Sequence, residues 1–296
     1  MIVRPKASLF DILFAVRGSI AGRVAWRCLF MTVLACVVVY TGDFHIEQLS
    51  RLGTAPFGLI GIAISVFMSF RNSAAYDRWW EGRKQWGELL VQVRSLCREL
   101  SNLDGETKKQ IFVPLIAFAY ALSARLRGED EIAAARPWGL ATSAGPNVCD
   151  AILRQIGGEL LALNKAGVLS DWRYSSAAIR LNALSSVQAA CERIKTTPLP
   201  FAYTLLIHRT VYLFCVLLPF ALAPQLGWAT PVIVAFISYT FFGLDAIGDD
   251  LAEPFGSADN SLPIRALVRT VEREIMDFLG MTPLPDELQP VGYVLL

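Results

Sequence analysis

Three large apolar side chains, Ile62, Val66 and Phe70, recur every four residues in a segment that carries no charge from residue 52 to 70. At 100° per residue they share one face of a predicted helix with Ala55, Leu59, Ser73 and Asp77. If several copies of this helix surrounded an axis, the three side chains would stack as apolar rings, which can gate ion flow by dewetting. The pattern is equally typical of a face that contacts lipid or a protein core, so periodicity alone leaves these alternatives open.

A second stripe on the same predicted helix consists of small residues: Gly58, Gly61, Ser65 and Ser69. Small residues about four apart let membrane helices approach closely. The face formed by these small residues is therefore suited to contact with another helix. The adjacent face, with the three large apolar residues, is suited to another role.

Charged residues inside other apolar segments are also candidates for function, because charge within a membrane is costly. Arg209 lies about two turns into one predicted membrane helix, beside His208, and Asp245 lies near the end of the next. In an antiparallel hairpin Arg209 and Asp245 would reach a similar depth. We therefore predict a structural ion pair between them, with a role in transport as the alternative.

Catalytic chemistry finds little support in the sequence. It has no glycine-rich phosphate loop and no HExxH motif, and its two histidines, His45 and His208, fall on opposite sides of the predicted membrane. The six cysteines form no CxxC motif, which favours plain reduced thiols. The net charge of +1 gives no reason to expect a nucleic-acid partner. We expect neither an enzyme nor a cofactor.

The composition predicts a membrane protein with a sizeable polar part, because 54% of the residues are hydrophobic and the mean hydropathy is +0.45. Four crossings are predicted, at about residues 24–41, 55–70, 203–222 and 231–249. The last two form a hairpin whose turn is marked by proline and glycine.

The distribution of basic residues predicts the orientation of these crossings. The loops 42–54 and 223–230 hold one basic residue between them, Arg51. Five precede the first apolar core: Arg4, Lys6, Arg17, Arg23 and Arg27. Both termini and the long middle region should therefore be cytoplasmic.

The middle region has helical periodicity, with Trp86, Leu89, Val93 and Leu96 spaced by three and four. We predict an all-α membrane protein with four transmembrane helices and a cytosolic helical domain. Its predicted parts are 1–70 (N-terminal segment and first two membrane helices), 71–200 (cytosolic domain, continuing from the second helix), 201–250 (last two membrane helices) and 251–296 (cytosolic C-terminal segment and tail).

Four segments carry motifs that are specific in combination: APFGLIGIAISVFMSFRNSAAYDRWWEGRKQWGEL, ERIKTTPLPFAYTLLIHRTVYLFCVLLPF, TPVIVAFISYTFFGLDAIGDDL and AEPFGSADNSLP. In order and spacing they resemble the bestrophin family, in particular its bacterial members. The resemblance implies a homopentameric ion channel with one central pore, in a bacterial inner (plasma) membrane. It places the hydrophobic neck of that pore on Ile62, Val66 and Phe70.

The resemblance also bears on the remaining candidate sites. It places a second, cytosolic aperture at Trp172, where the family usually has a smaller aliphatic residue. The calcium clasp of animal members is reduced to a weak remnant, Glu253 and Asp259, so no metal is expected. Bacterial relatives look like cation channels, which implies Na⁺ or K⁺ as the permeating ion.

Asp43 and Glu47, in the predicted outer loop, would raise the local cation concentration at the mouth of the pore. The expected partners are other copies of the chain, membrane lipid and the permeating ions. The alternatives are an anion channel of the same fold, a small-solute secondary transporter, or a membrane scaffold that conducts no ions.

Overall fold

The computed structural model describes residues 1–3, 19–42, 54–139 and 145–295, and every regular element in these ranges is a helix. The α-helices within the described residues are α1 (Ala21–Thr41), α2 (Ala55–Glu99), α3 (Gly105–Arg127), α4 (Glu131–Ala135), α5 (Val148–Lys165), α6 (Asp171–Thr196), α7 (Phe201–Leu226), α8 (Thr230–Ala252) and α9 (Ile264–Phe278). Short 3₁₀ turns follow α4 and α7. The predicted all-α class is confirmed.

The longest helix is α2, whose 45 residues extend over about 68 Å at ~1.5 Å per residue. The hydrocarbon core of a bilayer is only ~30 Å thick, so a helix of this length is more than long enough to cross it. Pro56 lies in the first turn, where a missing N–H is tolerated, and no proline follows within the helix. The chain therefore continues from its apolar segment into its charged segment as one helix, as expected from the sequence.

The described chain forms two compact units, and α2 contributes to both. One comprises the described residues up to Trp79, other than the first three, together with Pro198–Glu253. We call it the hairpin unit, because it contains α7 and α8. The other comprises Met1–Val3, Trp80–Thr197 and the residues from Pro254 onwards, and we call it the bundle unit.

Four helical stretches in the described residues are long and apolar enough to cross a membrane: α1, α2, α3 and Phe201–Ala252, which holds both α7 and α8. They differ in the fraction of each stretch that is buried by other parts of the chain. In α3, 67% of the most apolar window is buried, compared with 22% in α1 and in α2. Helix α3 is therefore a core helix of the bundle unit, and the four predicted crossings fall in α1, α2, α7 and α8.

The core of the hairpin unit is formed by one side of each of its helices. It includes Met31 of α1, Ile64 and Met68 of α2, Val211 of α7 and Phe242 of α8. Gly61 lets α7 approach α2 closely, because a Cβ atom at this position would lie 3.3 Å from the ring of Phe214. Of the stripe of small residues, Gly61 makes this helix contact, whereas Gly58, Ser65 and Ser69 are exposed.

The bundle unit is organised around α3. Asp104 caps the start of α3 by accepting hydrogen bonds from the N–H groups of Glu106 and Thr107, and Gly128, with φ +70°, ends it. Helix α9 is strongly amphipathic, and its Phe278 packs edge-on against Phe112 of α3 with ring centroids 4.9 Å apart. The second half of α2 adds its own buried apolar residues to this unit: Trp86, Leu89, Val93 and Leu96.

Candidate functional site

The predicted neck residues lie on the surface of the hairpin unit. The exposed fractions are 64% for Ile62, 47% for Val66 and 65% for Phe70. The remaining members of the predicted face are exposed as well: Ala55, Leu59, Ser73 and Asp77. The opposite side of the same helix, with Ile64 and Met68, faces the core of the hairpin unit, whereas Ile60 and Phe67 are exposed outside the predicted face.

A groove of hydroxyl-bearing residues runs beside the exposed face. Ser65, Ser69, Ser73 and Asp77 line a cavity of about 420 Å³ along α2, which Leu244 of α8 also borders. The exposed face is thus apolar at Ile62, Val66 and Phe70, but it becomes polar beyond Phe70 and on its serine side.

Arg71 follows the last neck residue directly and turns into the hairpin unit, where only 1% of its side chain is exposed. Its Nη1 donates to Asp245 Oδ1 at 3.0 Å and to the Asp245 carbonyl at 3.3 Å, and its Nη2 donates to Asp249 Oδ1. A buried guanidinium without such partners would be very unfavourable. Arg71 therefore ties α2 to two successive turns of α8.

The predicted ion pair between Arg209 and Asp245 is wrong. Asp245 pairs with Arg71, and its Oδ1 lies 3.2 Å from Nε2 of His208, whereas the Arg209 side chain is exposed. Consecutive residues of a helix point about 100° apart, so His208 and Arg209 cannot both face α8. His208, next to Arg209 on α7, does approach Asp245, but the arginine that pairs with Asp245 comes from α2.

A sequence signal for Arg71 was available. Ile64, Met68, Arg71 and Ala75 are spaced by four, three and four, and all four are buried. Arg71 thus continues the core stripe of α2, although its charge suggested a solvated position.

Close approach between α2 and α8 depends on Gly248. A Cβ atom there would collide with the side chain of Asn72 and lie 3.0 Å from Nη1 of Arg71. Asn72 in turn donates its amide to the carbonyl of Leu244 at 3.0 Å. Because Gly248 has no side chain, the space beside it remains free, and Arg71 uses this space to reach the carboxylates of Asp245 and Asp249.

The other predicted site residues that the structure describes do not belong to the cluster of Arg71, His208, Asp245 and Asp249. Trp172, the second residue of α6, is 79% exposed. Glu253 and Asp259, the calcium-clasp positions, are also exposed. Asp43 and Glu47 lie outside the described residues.

Comparison with known proteins identifies the family to which these features belong. The model of the family described as bacterial/fungal bestrophin protein matches residues 1–277. The chain belongs to this bestrophin family. The resemblance seen in the sequence motifs is therefore confirmed, and it extends over almost the whole chain.

Individual relatives agree with this assignment. A protein of Mesorhizobium japonicum named as voltage-dependent anion channel-forming is 40% identical, covering 96% of this chain and 94% of its own length. An Escherichia coli K12 protein with the same descriptive name is 36% identical, covering 98% of both chains. The crystal structure of a bestrophin homologue from Klebsiella pneumoniae matches with a TM-score of 0.84 and 39% identity, covering 88% of this chain and 100% of the homologue.

The family establishes the coarse function. Bestrophins and these relatives are channel proteins rather than enzymes, so this chain is a bestrophin-family ion channel of a bacterial membrane. The prediction of an ion channel with membrane-crossing helices is confirmed at this level.

Proposed function

We propose that five copies of this chain surround one central pore, and that Ile62, Val66 and Phe70 of each copy form its hydrophobic neck. The observation that carries this proposal is the exposed, continuous face of α2, whose opposite side is buried in the hairpin unit. Three stacked apolar rings in a narrow pore exclude water and so control ion flow.

A face directed at lipid would also be exposed, but it would stay apolar over its whole length. Here Ser65 and Ser69, which lie within the predicted crossing, line the groove beside the face. Hydroxyl groups suit a water-filled passage better than contact with acyl chains. Serine side chains within the crossing therefore support the pore over the lipid alternative.

For selectivity we propose monovalent cations, Na⁺ or K⁺. Asp77 is exposed on the pore-facing side of α2, and no basic residue lies on that face between Ala55 and Asp77. Asp43 and Glu47 would add negative charge at the outer mouth. The second candidate is an anion channel of the same fold, which the names of the M. japonicum and E. coli relatives favour. The neck carries no charge and does not discriminate between the two.

The remaining parts of the proposal concern the rest of the chain. We propose that the bundle unit is cytosolic, that both termini are cytoplasmic, and that the membrane is the inner membrane. Trp172 would line a second, cytosolic aperture. Glu253 and Asp259 offer two carboxylates, whereas Ca²⁺ takes six to eight oxygen ligands, so we expect currents that do not require calcium.

The test is the reversal potential of purified protein in planar bilayers under a tenfold NaCl gradient. A cation channel reverses near the sodium potential, about 59 mV in magnitude, and an anion channel reverses at the opposite sign. Resolved single-channel steps would exclude a transporter, and an assembly without current would favour a scaffold.

Two phenylalanine variants test the neck in the same recordings. Phe70→Ala should raise the conductance, because it removes one apolar ring. Phe67→Ala is the matched control, since Phe67 is also exposed on α2 but lies off the predicted face. Equal effects of the two variants would contradict the proposed neck.

A further inference from the structure

We propose that His208, Asp245 and Asp249 form a binding site for a divalent transition-metal ion, with Zn²⁺ as the best-fitting example. One ligand atom from each residue can be chosen so that all three lie within 4.8 Å of one another. Nε2 of His208 is 3.2 Å from Oδ1 of Asp245 and 3.6 Å from Oδ1 of Asp249. The site is separate from the neck, and it does not depend on which ions the channel conducts.

The donor set favours a transition metal over calcium or magnesium. One imidazole nitrogen and two carboxylates are ligands that Zn²⁺ binds at about 2.0–2.2 Å, often with water in the fourth position. Calcium would need several more oxygen atoms, and the cluster does not supply them.

Unpartnered atoms in the cluster point to a missing ligand. Arg71 occupies Oδ1 of both aspartates, but Oδ2 of the fully buried Asp245 has no hydrogen-bond partner among the described residues. Nε2 of His208 is likewise buried and makes no hydrogen bond among the described residues, although it lies 3.2 Å from Oδ1 of Asp245. Buried carboxylate oxygens are rarely left in this state, because the loss of hydration is not offset. A metal ion bound by Oδ2 of Asp245 and Nε2 of His208 would satisfy both atoms.

Arg71 supports this arrangement and need not be displaced. Carboxylates that bind metals are usually held by hydrogen bonds to their remaining oxygen, and Arg71 holds Oδ1 of Asp245 and of Asp249 in this way. The spacing of four places both aspartates on one face of α8. Side-chain exposures of 40% for Asp249 and 31% for His208 leave a route for the ion.

A bound ion would link α7 to α8 next to the point where Arg71 joins α8 to α2. Ligands that bind only the folded state increase its stability. Zinc binding should therefore raise the melting temperature of the assembled channel.

The experiment uses full-length protein purified without a polyhistidine tag and treated with a chelator. Zinc chloride is titrated, bound zinc per subunit is counted by mass spectrometry, and the melting temperature is recorded. We expect one zinc ion per subunit and a rise in melting temperature that chelator reverses. Because the chain has only two histidines, His45→Gln is the matched control and should bind as the wild type does. His208→Gln should bind at least ~10-fold more weakly.

Absence of saturable binding to the wild type, or equal binding by His208→Gln, would overturn the proposal. A melting temperature that follows pH but not zinc would assign the cluster to proton binding and would also overturn it. If His208→Gln fails to assemble, Asp249→Asn replaces it, because Asp249 is more exposed. The visible absorption of bound Co²⁺ should then appear in the wild type and be lost in that variant.

Discussion

Between Ala55 and Phe70, helix α2 exposes most of its large apolar side chains, such as Ile62 and Phe70, whereas beyond Trp80 it buries most of them. Leu89 is completely covered, and Trp86 nearly so. Both halves space these residues by three and four, and they belong to one uninterrupted helix. The difference in exposure therefore arises from the surroundings of each half of α2, and not from the spacing of its apolar residues.

The hydrophobic effect explains why the second half of α2 buries its apolar residues. A leucine that leaves water gains about 1.5–3 kcal/mol, so a helix in the bundle unit turns its apolar stripe inward. In a bilayer this driving force between helices is absent, and small or polar residues determine the helix contacts instead. Gly61 and Arg71 make close contacts of the first half beside the buried Ile64 and Met68, and its exposed large apolar residues are left for the proposed pore.

The largest effect is expected at Arg71, which marks the boundary between the two halves. Arg71→Ala should destabilise the protein by about 3–5 kcal/mol, because it leaves the carboxylate of Asp245 buried without its arginine. Arg209→Ala removes the same side chain from an exposed position and should change stability little. Thermal unfolding and the yield of assembled protein measure both variants. Similar losses would mean that the buried cluster has no special role.

The second-largest effect is expected at Leu89, and it can be compared directly with a substitution in the first half of α2. Leu89→Ala should cost about 2–5 kcal/mol of stability, because it opens a cavity in the bundle unit. Ile62→Ala should leave the melting temperature nearly unchanged and alter the conductance. If Ile62→Ala destabilised the protein as much as Leu89→Ala did, the exposed face would have a packing role.

The sequence was sufficient for much of this comparison. The charge-free segment and the lack of a break predicted the continuous helix. The four-residue spacing placed Ile62, Val66 and Phe70 on one face but did not decide whether that face is exposed. The partner of Asp245 was mistaken, because helix depth can be estimated from hydropathy whereas the direction of each side chain depends on helix rotation. Rotation is decided by packing, and the close approach of α8 at Gly248 was not visible in a single sequence.

A smaller effect is expected at Trp172. Its side chain is largely exposed, so Trp172→Ala should change the free energy of unfolding by less than ~0.5 kcal/mol. If Trp172 narrows a cytosolic aperture, the same variant should raise the single-channel conductance. Unchanged conductance would remove Trp172 from the ion pathway while leaving the neck untouched.

The smallest effect concerns two thiols of the bundle unit, the half-buried Cys97 and the buried Cys191. Burial raises the pKa of Cys97 and of Cys191 to about 12. The unfolded chain loses these protons at lower pH, so their contribution to stability is present below pH ~8.5 and declines as pH rises towards 12. At pH 8 both thiols should resist iodoacetamide in the folded protein, as measured by mass spectrometry. Rapid labelling would show that the bundle unit is less well packed than α3 and α9 indicate.

The most direct test of the central claim is thiol accessibility during current recording. Val66→Cys places a thiol on the exposed face, and Ile64→Cys places one on the buried side of the same turn. A charged, water-soluble methanethiosulfonate reagent should inhibit the current of Val66→Cys and leave Ile64→Cys and the wild type unchanged. Uninhibited current in Val66→Cys, or equal inhibition of both variants, would contradict a pore lined by this face of α2.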